Sequence, residues 1–201
     1  ANQSIVMGNN IFTNNSGEVK LVFFGAGEYS NQSICMGNNT FTNNSAQDDN
    51  GMIYIGADAH INQSIVMENN TFTNNFVQYD GFISIPVDKY ANQSIVIGNN
   101  TFTNNSGEIE LVFFGAGDYA NQSIVIGNNT FTNNSGDAEA ISCSGEDFSN
   151  QSLVMRNNIF TSNSGLGLMA TGTGNNATQT IYMGNNTISN NTGEIDLVSF
   201  G

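Results

Sequence analysis

One seven-residue block, Asn99-Asn100-Thr101-Phe102-Thr103-Asn104-Asn105, returns in close copies from one end of this chain to the other. The copies centre on Phe12, Phe41, Phe72, Phe102, Phe131 and Phe160, with Ile188 in the last. A second block, Asn-Gln-Ser-Ile-Val-Met or a near variant, precedes each copy. It begins at Asn2, Asn31, Asn62, Asn92, Asn121, Asn150 and, degraded to Thr-Gln-Thr, at Thr178. Successive starts lie 29, 31, 30, 29, 29 and 28 residues apart. Self-similarity at such a period requires a stack in which each repeat buries its apolar face against its neighbours.

Residue chemistry selects strand over helix. Asn occupies 36 of the 201 positions and Gly another 22, both poor in helix interiors, while the apolar residues are mainly Ile, Val and Phe. No apolar spacing of helical period survives over a helix length. One coil then reads as three strands: Glu108 to Phe114, Gln122 to Ile126 after a turn at 115–120, and Thr130-Phe131-Thr132 after the corner Gly127-Asn128-Asn129. Length differences all fall between the Asn-Asn-Ser block and the next Asn-Gln-Ser, so that side of the coil accepts insertions. Strand alternation turns Phe131 inward and Thr130 and Thr132 outward, and lets Asn129 and Asn134 turn inward at the corners. Stacking identical coils places Phe on Phe and Asn on Asn. The expected core columns are Phe12, Phe41, Phe72, Phe102, Phe131, Phe160 and Ile188, and Asn15, Asn44, Asn75, Asn105, Asn134, Asn163 and Asn191. The Asn amides are expected to form ladders that satisfy buried polar groups.

The Phe-x-x-Asn copies, from Phe12 to Asn15 through Phe160 to Asn163, resemble the repeats of right-handed parallel β-helices of the pectin-lyase-like class, and in particular those of polymorphic outer-membrane and adhesin-like surface proteins. A Gly-Gly-Ala-Ile partner motif of that surface family is missing here. The resemblance implies secretion and surface display without a catalytic centre. The expected fold is an all-β, right-handed parallel β-helix of about seven coils, one domain over residues 1–201, uncapped at both ends. The chain opens on a full block and stops at Phe200-Gly201 inside a first strand, which suggests either an excerpt or head-to-tail stacking of copies into a fibre.

A net charge of -14 arises because only Lys20, Lys89 and Arg156 oppose 17 acidic residues. That scarcity of cations argues against nucleic acid and against an anionic membrane surface as partner. No stretch approaches the length of a membrane span. Cys35 and Cys143 lie three repeats apart, too far to bridge, and read as small apolar fillers.

Four features are candidates for function. Gln47 to His60 departs most from the repeat and holds Asp48, Asp49, Asp58 and the lone His, read as a solvated loop residue. Lys89 and Arg156 stand apart from any acid pair, and Glu28, Asp118 and Asp147 share a turn position with too few oxygens for Ca²⁺, so no catalytic, metal or cofactor residue is expected. The outward pairs Thr40 and Thr42, Thr71 and Thr73, Thr101 and Thr103, and Thr130 and Thr132 resemble the Thr ranks of ice-binding β-solenoids. Asn-x-Ser/Thr sequons begin at Asn2, Asn14, Asn31, Asn38, Asn43, Asn62, Asn69, Asn92, Asn99, Asn104, Asn121, Asn128, Asn133, Asn150, Asn176, Asn185 and Asn190. In most coils the sequon Asn is the first of the Asn-Asn pair, while the ladder uses the second. Finally, alternation in Leu111-Val112-Phe113-Phe114 places Val112 and Phe114 outside, and likewise Val22 and Phe24, and Val198 and Phe200. One member of Ile95-Val96-Ile97 must also face out, and such stripes suggest lateral packing.

The expected role is an extracellular structural element, the shaft or subunit of a surface fibre or adhesin. It would associate with copies of itself, head to tail and laterally, and carry glycans at some of these sequons. The alternatives are an ice-binding solenoid and, more weakly, a polysaccharide-binding or polysaccharide-cleaving β-helix using Asp48 or Asp49.

Overall fold

A computed structural model gives the structure of all residues except 19, 48–50, 80, 108–109, 166, 194–197 and 201, with only the backbone described for 198–200. It is a parallel β-solenoid whose period follows the sequence repeat, and no helix occurs among the described residues. Coils 1 to 7 are numbered here from the Asn-Gln-Ser block that opens each.

The first sheet stacks those blocks in order, from Asn2–Gly8 through Asn92–Gly98 to Thr178–Gly184, seven parallel strands in all. Its register is residue on homologous residue: Asn92 lies on Asn121, Ile95 on Ile124, and Gly98 on Gly127. The second sheet stacks the Thr-Phe-Thr segments, from Ile11–Thr13 to Thr187–Ser189, again with seven strands. The three strands expected per coil are present, and a short fourth is added at the next corner. Ser16–Gly17, Ser45–Ala46, Phe76–Val77 and Ser106–Gly107 form a four-stranded ribbon, which single bridges continue through Ser135, Ser164 and Thr192. The remaining sheet runs from Val22–Ala26 to Val198–Phe200. The insertion-tolerant side of the coil is the stretch leading into this last sheet.

The Phe column lies inside as expected over coils 2 to 6. At the open ends Phe12 is only partly buried, Asn15 is exposed and Ile188, expected in the core, is 38% exposed because no coil covers it. Phe41, Phe72, Phe102, Phe131 and Phe160 are buried, and successive rings stack nearly parallel at 4.6 to 4.9 Å. That distance equals the spacing of hydrogen-bonded strands, so one ring per coil fills the interior without gaps. Ile34, Ile65, Ile95 and Ile124 with Met36, Met67, Ile97 and Ile126 complete the wall from the first sheet.

The Asn column is also present, and a second runs parallel to it. In one, Asn44, Asn75, Asn105 and Asn134 are buried; in the other, Asn39, Asn70, Asn100 and Asn129. Each of these members donates at least three bonds and accepts two. Asn75, for example, donates its backbone N–H and its Nδ2 to Oδ1 of Asn105, both at 3.0 Å, and its Nδ2 also reaches the Phe41 carbonyl at 2.9 Å. A Gln column joins them: Gln122 donates to Gln93 at 2.7 Å and to the Gly115 carbonyl at 3.0 Å. The directions differ. Asn Nδ2 of one coil donates to the next coil, whereas Gln Nε2 donates to the previous one, as does the exposed Asn column, in which Asn31 bonds Asn2 at 2.9 Å. Among the described residues no buried side-chain polar atom is left without a partner.

One inside-outside assignment is reversed. Val112 and Phe114 are fully buried and Phe113 is the partly exposed residue; Val22 is likewise buried while Phe23 is 61% exposed. The phase shifts because the chain bends before the strand, so that Leu111 and Val112 both point inward. In coil 1 the bend is visible in the hydrogen bonds, where the N–H groups of Leu21 and Val22 share the Met52 carbonyl at 3.0 and 3.2 Å. The side chains of Val198 and Phe200 lie outside the described residues.

Candidate functional site

With the interior filled by core, any function must use the outward columns. At every corner but one the first Asn of the Asn-Asn pair takes a left-handed backbone conformation, with φ between 53° and 59° at Asn9, Asn14, Asn38, Asn43, Asn69, Asn74, Asn99, Asn104, Asn128, Asn133, Asn157, Asn185 and Asn190; Ser162 takes that place before Asn163. Asn tolerates that region better than other non-glycine residues. The turn throws this first side chain into solvent and the second inward, so the sequon Asn and the ladder Asn are distinct residues, as the spacing implied. The Asn-Gln-Ser sequons are a different case. Asn31, Asn62, Asn92 and Asn121 are exposed too, but their amides are joined in the outer ladder at 2.9 to 3.2 Å.

The Thr pairs share one outward face of the second sheet. Thr40, Thr71, Thr101 and Thr130 form one in-register rank and Thr42, Thr73, Thr103 and Thr132 the other. Ile11 and Ile159 stand at the two ends of the first rank, so the paired Thr array is four coils long.

A column unforeseen in the sequence runs along the turns. Tyr29, His60, Tyr90, Tyr119 and Phe148 stack ring on ring at 4.8 to 5.0 Å, all in the left-handed region with φ from 55° to 59°. Aromatic residues rarely adopt this conformation, which costs about 1–2 kcal/mol each. The stacking of each ring on the next offsets about 0.5–1.5 kcal/mol of that. His60 is thus exposed, as expected for a loop residue, but held between two tyrosines. Its signal was the equal spacing of these rings, one residue before the residue that precedes each Asn-Gln-Ser.

Lys89 is less isolated than its sequence surroundings imply, because it occupies the same turn position as Glu28, Asp118 and Asp147. Asp147 accepts from the Asn175 backbone N–H at 2.6 Å and from its amide at 3.1 Å. No group of three or more His, Cys, Asp or Glu able to hold a metal ion occurs among the described residues. Asp48 and Asp49 lie outside those residues, so the polysaccharide-cleaving alternative has no described geometry there.

On the last sheet the outward rings of Phe23 and Tyr54 stack at 5.7 Å, with Lys20 Nζ 5.8 and 5.4 Å from the two centroids. These rings fold over the glycine two residues on. A methyl group at Gly115 would sit 3.0 Å from the equivalent Phe113 ring. The outward aromatics are therefore partly a cover for glycine backbone, which explains why Phe-x-Gly recurs there.

On the first sheet a shallow trough of about 710 Å³ runs along the solenoid between the outward Asn and Ser columns, from Asn2 to Asn150. Beside it lies the outward column Val6, Cys35, Val66, Val96, Val125, Val154 and Tyr182. Val96 is thus the outward member of Ile95-Val96-Ile97.

No family model, curated protein or solved structure matches this chain. The outward columns are what remains to argue from. They offer neutral amides and hydroxyls, exposed aromatic edges and separated carboxylates, each repeated with the coil.

The cysteines divide in the same way. Cys143 is a buried filler facing Phe114 and Thr171, and burial raises its thiol pKa to about 12 despite a bond from Gln179. Cys35 occupies the outward Val column and is exposed, which corrects its reading as a filler. Only thiolate reacts readily with disulfide reagents. One thiol per native chain, the exposed Cys35, is therefore expected to react with a disulfide reagent, and two after unfolding in guanidinium.

Proposed function

We propose that the chain forms a rigid, non-enzymatic shaft in an extracellular or cell-surface assembly. One observation carries this reading: every inward column, Phe, Asn and Gln alike, continues in register from coil to coil, so each added coil repeats the same contacts. A catalytic site needs unlike groups brought together, and the outward columns mostly repeat like groups. Ile5, Met7 and Phe12 in coil 1 and Ile181 and Met183 in coil 7 are only partly buried. A further coil, from the same polypeptide or from another copy, would cover them. The exposed corner Asn residues of the Asn-Asn-Ser/Thr sequons would carry any glycans without disturbing the ladder.

Negative-stain electron microscopy with intact-mass measurement on native material tests this. Filaments or long shafts with mass above 21.5 kDa per chain support a glycosylated rod. Short monodisperse particles of unmodified mass would overturn the fibre and glycan parts of the reading.

A second reading rests on the in-register Thr ranks of coils 2 to 5, which favour ice binding by a flat hydroxyl and methyl array. Thermal hysteresis that disappears on Thr101→Leu would establish it. Its absence in the unaltered protein would exclude it.

A further inference from the structure

The outward face of the first sheet carries no net charge in this acidic molecule. Its seven strands carry only two charged residues, Glu68 and Arg156, of opposite sign. Both lie in one outward column, which reads Glu68, Gly98, Gly127, Arg156 over coils 3 to 6. The two glycines clear the space between them. Glu68 Oε1 lies 3.5 Å from where a methyl group at Gly98 would be, and Arg156 Nε 3.9 Å from the same point at Gly127. Each long side chain thus lies flat along the column toward the other, and the Val column runs beside them, with Val66, Val96, Val125 and Val154 half-buried.

We infer that this face binds a second copy of the same face, with the two solenoid axes antiparallel. The charges determine the arrangement. A two-fold axis parallel to the strands and midway between coils 4 and 5 superposes coil 3 on coil 6 of the partner while keeping every column opposite itself. Glu68 then meets the partner's Arg156, and Arg156 meets the partner's Glu68, so one self-complementary contact forms two ion pairs. Val96 opposes the partner's Val125, and Val66 the partner's Val154, giving an apolar seam next to the pairs. A parallel pairing would leave both charges without partners.

Electrostatics permit this face, as they permit the uncharged second sheet, but only here do opposite charges fix one arrangement. Two copies of charge -14 repel, and the approach that least opposes association is through a neutral surface. The area is sufficient: about 29 Å of stack by about 23 Å of strand gives roughly 1,300 Å² over both copies, within the range of stable interfaces. Glycans on the Asn-Gln-Ser sequons would block this contact, whereas glycans on Asn14, Asn43, Asn104 and Asn133, beyond the second sheet, lie outside it. The inference stands whether or not the rod is a surface shaft.

Sedimentation equilibrium of the intact chain tests it. A dimer of twice 21.5 kDa is expected. Glu68→Arg alone, or Arg156→Glu alone, replaces two attractive pairs by two repulsive ones and is expected to weaken the dimer about tenfold. Combining Glu68→Arg with Arg156→Glu is expected to restore it, since the pair is rebuilt with reversed sign. The doubly reversed chain should not mix with unaltered chain. Val96→Lys should dissociate the dimer while leaving the circular dichroism unchanged. A monomer at all concentrations, or a dimer indifferent to the single reversals, would overturn the inference.

Discussion

Asn105→Leu is expected to destabilise the fold by roughly 3–6 kcal/mol, although Leu is close in size and apolar. The substitution removes the acceptor used by the Asn75 backbone N–H and Nδ2, and the donor that reaches the Phe72 carbonyl at 3.0 Å. Four buried polar groups then lose a bond, counting Asn134 Oδ1, which accepts from Asn105 Nδ2 at 3.0 Å; those left without a partner cost about 1–3 kcal/mol each. Asn104→Gly provides the contrast one residue away. Asn104 is exposed with φ 54°, a conformation glycine adopts freely, so the change should stay within about 0.5 kcal/mol. Denaturant midpoints at constant m-value measure both. Similar losses at 104 and 105 would contradict the division of labour within the Asn-Asn pair.

Phe102→Ala is expected to cost roughly 3–5 kcal/mol. Phe102 is fully buried and lies between Phe72 and Phe131 at 4.7 and 4.8 Å, so truncation opens a cavity and breaks two ring contacts at once. Its neighbours along the column are held by the strand register on both sides and cannot collapse into the space. Thr103→Ala, on the outward side of the same strand, should change stability by less than about 0.5 kcal/mol. Equal effects at 102 and 103 would mean that the strand faces the other way.

Much of the interior was readable in the chain because the repeat ties each position to its copies. Phe102 and Asn105 recur at fixed spacing with polar residues between, and that pattern has one inward solution. The last sheet was misread at Val112 and Phe114 because alternation gives the period of a strand but not its phase. The phase depends on the bend at Leu111, whose hydrogen bonding leaves no mark in residue type. The buried Gln column was missed for a related reason. Gln122 sits in a block that otherwise reads polar at its start; alternation places it on the inward face with Ile124 and Ile126, but its bonds to Gln93 and the Gly115 carbonyl, which make that burial tolerable, leave no mark in the sequence. The turn column of Tyr29, His60, Tyr90, Tyr119 and Phe148 was hidden because left-handed aromatic residues are rare enough that no sequence rule anticipates them. Outward function was least legible, since a surface column such as Glu68 to Arg156 acquires meaning only when the coils are stacked.

The opposed directions of the amide columns bear on how long such a rod can grow. A row of head-to-tail amides adds its dipoles as a helix does, leaving opposite partial charges at the two ends. Four columns running the same way would give every lengthening stack a stronger field at its tips, attracting counter-ions and opposing further growth. Here two columns of Asn point one way, and the Gln column with the exposed Asn column points the other. The side-chain contributions cancel within each coil, so a stack of seven coils and one of seventy would have tips of the same side-chain polarity.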